Sequence, residues 1–170
     1  MRRLILFRHA KAEPRAPGQD DFDRPLAERG REDAAIVGRA LAAQGLVPDR
    51  VLISPARRTA ETWTSCRDAF PPVRAELVRD LYNAAPEDIR GAIEAVAERC
   101  DTLMVIGHNP GLHELAVELL LDAAASAAEV EPVAARFPTA TAAVYAIDPV
   151  GRASLDGLFL AKDLGGEGDG

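Results

Sequence analysis

Short apolar runs and stretches of helical period alternate along this chain. Residues 4–7, 51–53 and 102–106 are continuous apolar segments of strand length. A strand that is apolar at every position is one covered on both faces, as in the middle of a parallel sheet. Between the first two runs, Ala34, Ala35, Val37, Ala40 and Leu41 recur at helical spacing within residues 26–44, and Gly45 supplies a C-terminal stop. After the second run, Ser54 reads as an N-cap and Pro55 as the first residue of a helix running to about residue 69. Pro86 opens another helix through Ile89, Ile93, Val96 and Ala97, and residues 112–121 follow the third strand with a helical pattern.

The remaining segments are less regular. Residues 74–77 read as a weaker strand, and the Ala-rich stretch 122–135 satisfies neither period. Residues 142–147 and 153–160 pair around an Asp148-Pro149-Val150-Gly151 turn. The polar, proline-bearing segment 10–25 is a long loop, a feature that inside a compact domain is usually functional. Strands alternating with helices predict an α/β chain: a three-layer α/β/α sandwich, its central sheet mostly parallel with an antiparallel edge. One domain over residues 1–163 is expected, with residues 164–170, rich in glycine, as a disordered tail.

Charge narrows the classes of partner. The 170 residues carry a formal net charge of −7, which argues against nucleic acid, because a phosphate backbone requires a basic face. Any positive site is therefore local. Cys66 and Cys100 lie far apart, with neither C-x-x-C spacing nor a histidine cluster, so they read as buried free thiols and not as a zinc site or a disulfide. The apolar run after Met1-Arg2-Arg3 is shorter than a signal-peptide core, and no segment is long enough to span a membrane, which points to the cytoplasm.

Three polar groups follow the three apolar strands: Arg8-His9, Arg57-Arg58 in the next helix, and His108-Asn109. In an open α/β sheet the carboxyl ends of the strands lie along one edge, where ligands bind. That edge would then hold two histidines and two or three arginines. Arginine forks match phosphate oxygens bidentately and bear charge as it spreads towards a phosphoryl transition state. An imidazole surrounded by fixed positive charge keeps a free lone pair near neutrality and can attack phosphorus, giving a covalent phosphohistidine.

On these residues the chain resembles the histidine phosphatase superfamily, also called the phosphoglycerate-mutase-like fold. The segment Leu6-Phe7-Arg8-His9-Ala10-Lys11 is similar to the family's Arg-His signature. Ser54-Pro55-Ala56-Arg57-Arg58-Thr59-Ala60-Glu61-Thr62 is similar to its second motif, and the spacing assigns Arg58, not Arg57. Gly107-His108-Asn109-Pro110 is similar to its late-strand Gly-His segment. With Asp23-Arg24-Pro25-Leu26 and Arg29-Gly30, the likeness is greatest to bacterial phosphohistidine phosphatases of the SixA type. The resemblance implies His9 as nucleophile, Arg8 and Arg58 as the phosphate clamp, His108 as a donor to the phosphoryl oxygens, and Asn109 as a further phosphate ligand. It implies no cofactor and no metal.

The chain departs from the family pattern at three points, and the last of them bears on the substrate. Larger branches of the superfamily have Gly at the position of Ala10, Glu or Gln at that of Lys11, and an acidic general acid after the second helix. Glu76, Asp80, Glu87 and Asp88 fall in that stretch here, and none sits in a matching motif. An alkoxide leaving group needs a proton, whereas an imidazole leaves with less help, so a missing acid favours a phosphoramidate substrate. The expected partner is a phosphohistidine-bearing protein. The alternatives are a small phosphate ester cleaved at the same site, or a phosphate-binding module without turnover. Elsewhere, Arg57 reads as a surface residue, Lys11 and Arg24 as counter-charges to Asp20, Asp21 and Asp23, and Trp63, Tyr82 and the stripe Leu115, Ala116, Leu119 and Leu120 as core. His113 reads as an ordinary helix residue.

Overall fold

A computed structural model describes residues 1–168. Its centre is a six-stranded mixed sheet in the order β3-β2-β4-β1-β5-β6. The four strands β1 (Arg3–Arg8), β2 (Arg50–Ile53), β3 (Arg74–Leu77) and β4 (Thr102–Gly107) run parallel, and β5 (Thr141–Ile147) with β6 (Ala153–Leu160) add the antiparallel edge. Between their end residues the central strands are apolar because both of their faces are covered. Ile5, Phe7, Val51, Ile53, Met104 and Ile106 pack against α1 (Glu28–Ala43) and α2 (Arg57–Cys66). Leu4, Leu6, Leu52, Leu103 and Val105 pack on the other face against α3 (Pro86–Ala97), α4 (Gly111–Asp122) and α5 (Ala127–Ala135). Period-two side-chain alternation thus serves two cores at once.

Several local expectations are corrected. The second helix begins at Arg57 with Ala56 as its N-cap, and Ser54 does not cap it. The ambiguous 122–135 stretch contains α5, whose start is capped by Ser126 and Glu129 in a reciprocal box. Within the 10–25 loop, Ala12 bridges to Leu26, and Asp21–Asp23 forms a 3-10 turn capped by Asp20. Cys66 is buried, as expected, and Cys100 only half-buried. The tail is attached further along than its composition suggests: the amides of Glu167 and Gly168 donate to the buried carboxylate of Asp33 at 3.0 and 3.1 Å. Residues 169–170 of the expected tail lie outside the described residues. Among the described residues no helix is long and apolar enough to cross a membrane.

Two glycines allow the close contacts that set the functional edge. A Cβ on Gly30, in the first turn of α1, would run into the carbonyl oxygen of Lys11, so its absence lets α1 press against the segment following β1. A Cβ on Gly111, which starts α4, would meet the carbonyl oxygen of Ala84 in the same way. The segments after β1 and β3 are thereby drawn towards one place.

Candidate active site

The sheet register brings the sequence motifs together. Arg8 at the end of β1 lies opposite Gly107 at the end of β4, and Ile53 at the end of β2 lies opposite Ile106. One residue beyond, the His9 amide donates to the Gly107 carbonyl, and the Ser54 amide to that of Ile106. His9 and His108 therefore leave adjacent strands side by side, with ring centroids 5.2 Å apart. Both are buried.

The hydrogen bonds of His9 define its tautomer. Its Nδ1 lies 2.8 Å from the Ala10 carbonyl oxygen. A carbonyl only accepts, so Nδ1 carries the proton and Nε2 keeps a lone pair. The Ala10 amide donates to Thr62 Oγ, which itself donates to the Arg58 carbonyl, tying the turn after β1 to α2. Burial pulls the His9 pKa from 6.5 down to about 3; the Ala10 carbonyl opposes this, and the charges of His108, Arg58 and Arg8 add to the lowering. Positive charge therefore contributes as the sequence suggested, but desolvation is the larger cause.

His108 is held differently. Its Nε2 lies 2.7 Å from Ser54 Oγ, so the serine that the sequence placed as a helix cap instead meets an imidazole. Thr59 Oγ, donating to the Ser54 carbonyl, and the Ala56 backbone start the helix without it. The Nδ1 of His108 is buried and has no hydrogen-bond partner. Burial again lowers the pKa to about 3, followed by Arg58; Asp21 opposes, while Arg8 and Arg24 assist.

The arginines separate as the motif spacing requires. The side chain of Arg58 is 5% exposed, whereas that of Arg57 is 54% exposed and pairs with Glu61 at 2.7 Å. Arg58 donates to the backbone oxygen and Oδ2 of Asp21 at 2.8 and 3.0 Å, while its buried Nε has no partner. Arg8 donates to the Phe137 carbonyl at 2.8 Å, and Asn109 Nδ2 to the same oxygen at 2.9 Å. The amide of Asn109, the residue expected as a further phosphate ligand, is thus engaged by this carbonyl.

Asp21, Tyr82 and Phe137 were not apparent as site residues. Tyr82 is no core residue: its hydroxyl donates to Asp21 Oδ2 at 3.2 Å, and its ring stands edge-on to His108 at 5.7 Å. Desolvation works to raise the Asp21 pKa. The charges of Arg58 and Arg24 and the hydrogen bonds of Tyr82 and Arg58 outweigh it and hold this carboxyl below its usual range. Phe137 contributes a backbone oxygen, and its ring stacks on His113, whose Nε2 donates to the Val133 carbonyl. None of these three carries a local signal; Asp21 and Tyr82 arrive on loops. Arg24 pairs with Asp21, as expected of a counter-charge. Of the four carboxylates considered as acids, Glu76 is engaged by Arg50 on the strand before the site. Among the described residues no His, Cys, Asp and Glu side chains converge as metal ligands would.

The arrangement offers two uncharged imidazoles, with a free lone pair on His9 Nε2, two arginines, and two buried nitrogens without a partner, Arg58 Nε–H and His108 Nδ1. Buried donors rarely go unpaired, and a tetrahedral oxyanion is the chemistry that would satisfy this set.

Known proteins resemble the chain in sequence and in fold. An uncharacterized protein of Mycobacterium tuberculosis is 36% identical over 141 residues, covering 83% of this chain and 87% of its own length. The crystal structure of a protein provisionally assigned as the phosphohistidine phosphatase SixA of Agrobacterium tumefaciens superposes with a TM-score of 0.81 at 32% identity, covering 93% of this chain and 97% of that one. The protein histidine phosphatase SixA complexed with tungstate shares the fold, with a TM-score of 0.79 at 24% identity over 95% of this chain and 99% of that one. The fold is accordingly the phosphoglycerate-mutase-like α/β fold. The family model described as histidine phosphatase superfamily, branch 1, matches residues 4–112, and the chain belongs to that superfamily.

Proposed function

We propose that this chain is a protein phosphohistidine phosphatase that works through a phosphohistidine on His9. The observation carrying this reading is the pairing of a neutral His9, protonated on Nδ1, with two buried nitrogens that lack a partner, Arg58 Nε–H and His108 Nδ1. The lone pair on His9 Nε2 attacks phosphorus, and the P–N bond of a substrate ring already protonated on its other nitrogen breaks, the electron pair going to the nitrogen that held phosphorus so that neutral imidazole leaves. Water then attacks the phosphoryl group on His9, the P–Nε2 bond breaks, and inorganic phosphate leaves.

Arg8 and Arg58 hold the phosphoryl oxygens and bear the charge that develops on them. Ser54 donates its hydroxyl proton to His108 Nε2, so His108 Nδ1 carries the proton and donates to a phosphoryl oxygen. Asn109 steadies the Phe137 carbonyl that orients Arg8. Asp21, kept ionised beside Arg58, is unsuited to donating a proton to an alkoxide, which favours the better imidazole leaving group.

The test compares hydrolysis of a histidine-phosphorylated protein with hydrolysis of simple phosphate monoesters. The reading predicts a kcat/KM at least ~100-fold higher on the phosphohistidine protein, the range that one transition-state contact is worth. Faster cleavage of a monoester would instead identify a small-molecule phosphatase, and binding of both without turnover would identify a phosphate-binding module.

A further inference from the structure

We propose that a cleft beside the clamp, lined by Phe22, Pro55, Leu77, Arg79 and Tyr82, docks the protein segment that bears the phosphohistidine. This rests on the phosphohistidine reading above and adds where the rest of the substrate goes. The cleft has a volume of about 450 Å³. Its inner wall is continuous with the catalytic rings: Tyr82 is edge-on to His108 at 5.7 Å, and His108 lies 5.2 Å from His9. Phe22 meets Tyr82 edge to face at 5.1 Å, and the Tyr82 hydroxyl is anchored by Asp21, so the two rings form a braced aromatic wall.

The outer part has a chemistry that phosphate does not require. Leu77, at the end of the edge strand β3, is 62% exposed, a large aliphatic side chain left in water at the rim. Arg79 is exposed and forms no ion pair with the described residues, whereas Arg50, Arg57 and Arg90 are each paired with a glutamate. In a chain of net charge −7, a free cation beside an exposed leucine at the mouth of the site is complementary to an acidic, apolar segment. A phosphoryl group alone would be met by His9, Arg8, Arg58 and His108 and would reach neither Leu77 nor Arg79. In the docked state the substrate imidazole lies against the aromatic wall, an apolar neighbour packs on Leu77, and an acidic neighbour pairs with Arg79.

The experiment uses the full chain, two synthetic peptides each bearing one phosphohistidine, and phosphoramidate as a substrate without a flanking segment. One peptide places Leu and Glu beside the phosphohistidine, and the other Ser and Lys. The wild-type chain should favour the Leu/Glu peptide about tenfold in kcat/KM, and Leu77→Ser and Arg79→Glu should each lose about fivefold on it, chiefly through KM. Both variants should cleave phosphoramidate at the wild-type rate, which also shows that they fold. An equal loss on phosphoramidate, or no loss on the peptide, would overturn the docking cleft and leave the phosphatase reading standing. A wild-type chain that cleaves phosphoramidate but neither peptide would overturn both.

Discussion

Lowering the pH should destabilise this chain through its two site histidines in particular. In the folded chain the pKa values of His9 and His108 are pulled from 6.5 to about 3, in each case chiefly by burial. Below pH 6.5 the unfolded chain takes a proton on each imidazole that the folded chain refuses, so stability is lost as pH falls from about 6.5 towards about 3. Each pH unit costs about 1.4 kcal/mol per group, so at about pH 5 each histidine removes about 2 kcal/mol. The pair together removes at most about 4 kcal/mol, a large part of the ~5–15 kcal/mol typical of a folded domain. Urea unfolding in phosphate-free buffer at about pH 7.5 and about pH 5, followed by Trp63 fluorescence, measures the loss in the wild-type chain and in a His9→Gln/His108→Gln variant. The wild-type loss should exceed that of the variant by about 3–4 kcal/mol, since the carboxylates are common to both. Equal losses would mean that the two imidazoles are not buried in neutral form, and the free nucleophile assigned to His9 would go with them. The same neutrality predicts no acid inflection near 6.5 attributable to His9 in the pH profile of kcat/KM.

Other expectations are simpler to check. Arg58→Ala should lower kcat/KM by ~100-fold or more, because it removes a buried clamp residue, while Arg57→Ala, which removes an exposed ion pair, should change it by less than about threefold. Steady-state kinetics decides, and the reverse order would place the clamp on the wrong arginine. Activity should survive dialysis against a chelator, since Arg8 and Arg58 supply the charge; a loss restored by a divalent metal would show that the arginines are insufficient. Gly30→Ala puts a methyl group onto the Lys11 carbonyl and should destabilise the chain by about 1–3 kcal/mol in denaturant titration while reducing activity. A neutral result would show that α1 does not hold the segment after His9.

The legible parts of the fold are those set by burial on two faces. Leu4 to Leu6 and Leu103 to Val105 could be read as central strands because every position there is covered, and the placement of Arg8, His9 and His108 at strand ends followed. The failures share a cause, which is that a side chain's partner came from elsewhere in the chain. Ser54 has the composition of a helix cap, but its hydroxyl meets His108, 54 residues away. Tyr82 looks like core material, yet Asp21 and His108 make it a wall of the site. Asp21 sits in a run of acidic loop residues that reads as solvated, and only the reach of Arg58 across 37 positions distinguishes it. Asp33 gives no hint that it will hold the backbone of Glu167 and Gly168.

The central claim is that phosphate passes through His9, and trapping the intermediate tests it most directly. The chain is mixed with a phosphohistidine protein or phosphoramidate, quenched in alkali during turnover, digested, and mapped by mass spectrometry. The account predicts a phosphoryl group on His9, stable in alkali and lost in acid, that does not form on His9→Ala even though this variant still binds phosphate. Turnover by the His9→Ala chain, or a phosphoryl group trapped on any other residue, would contradict it.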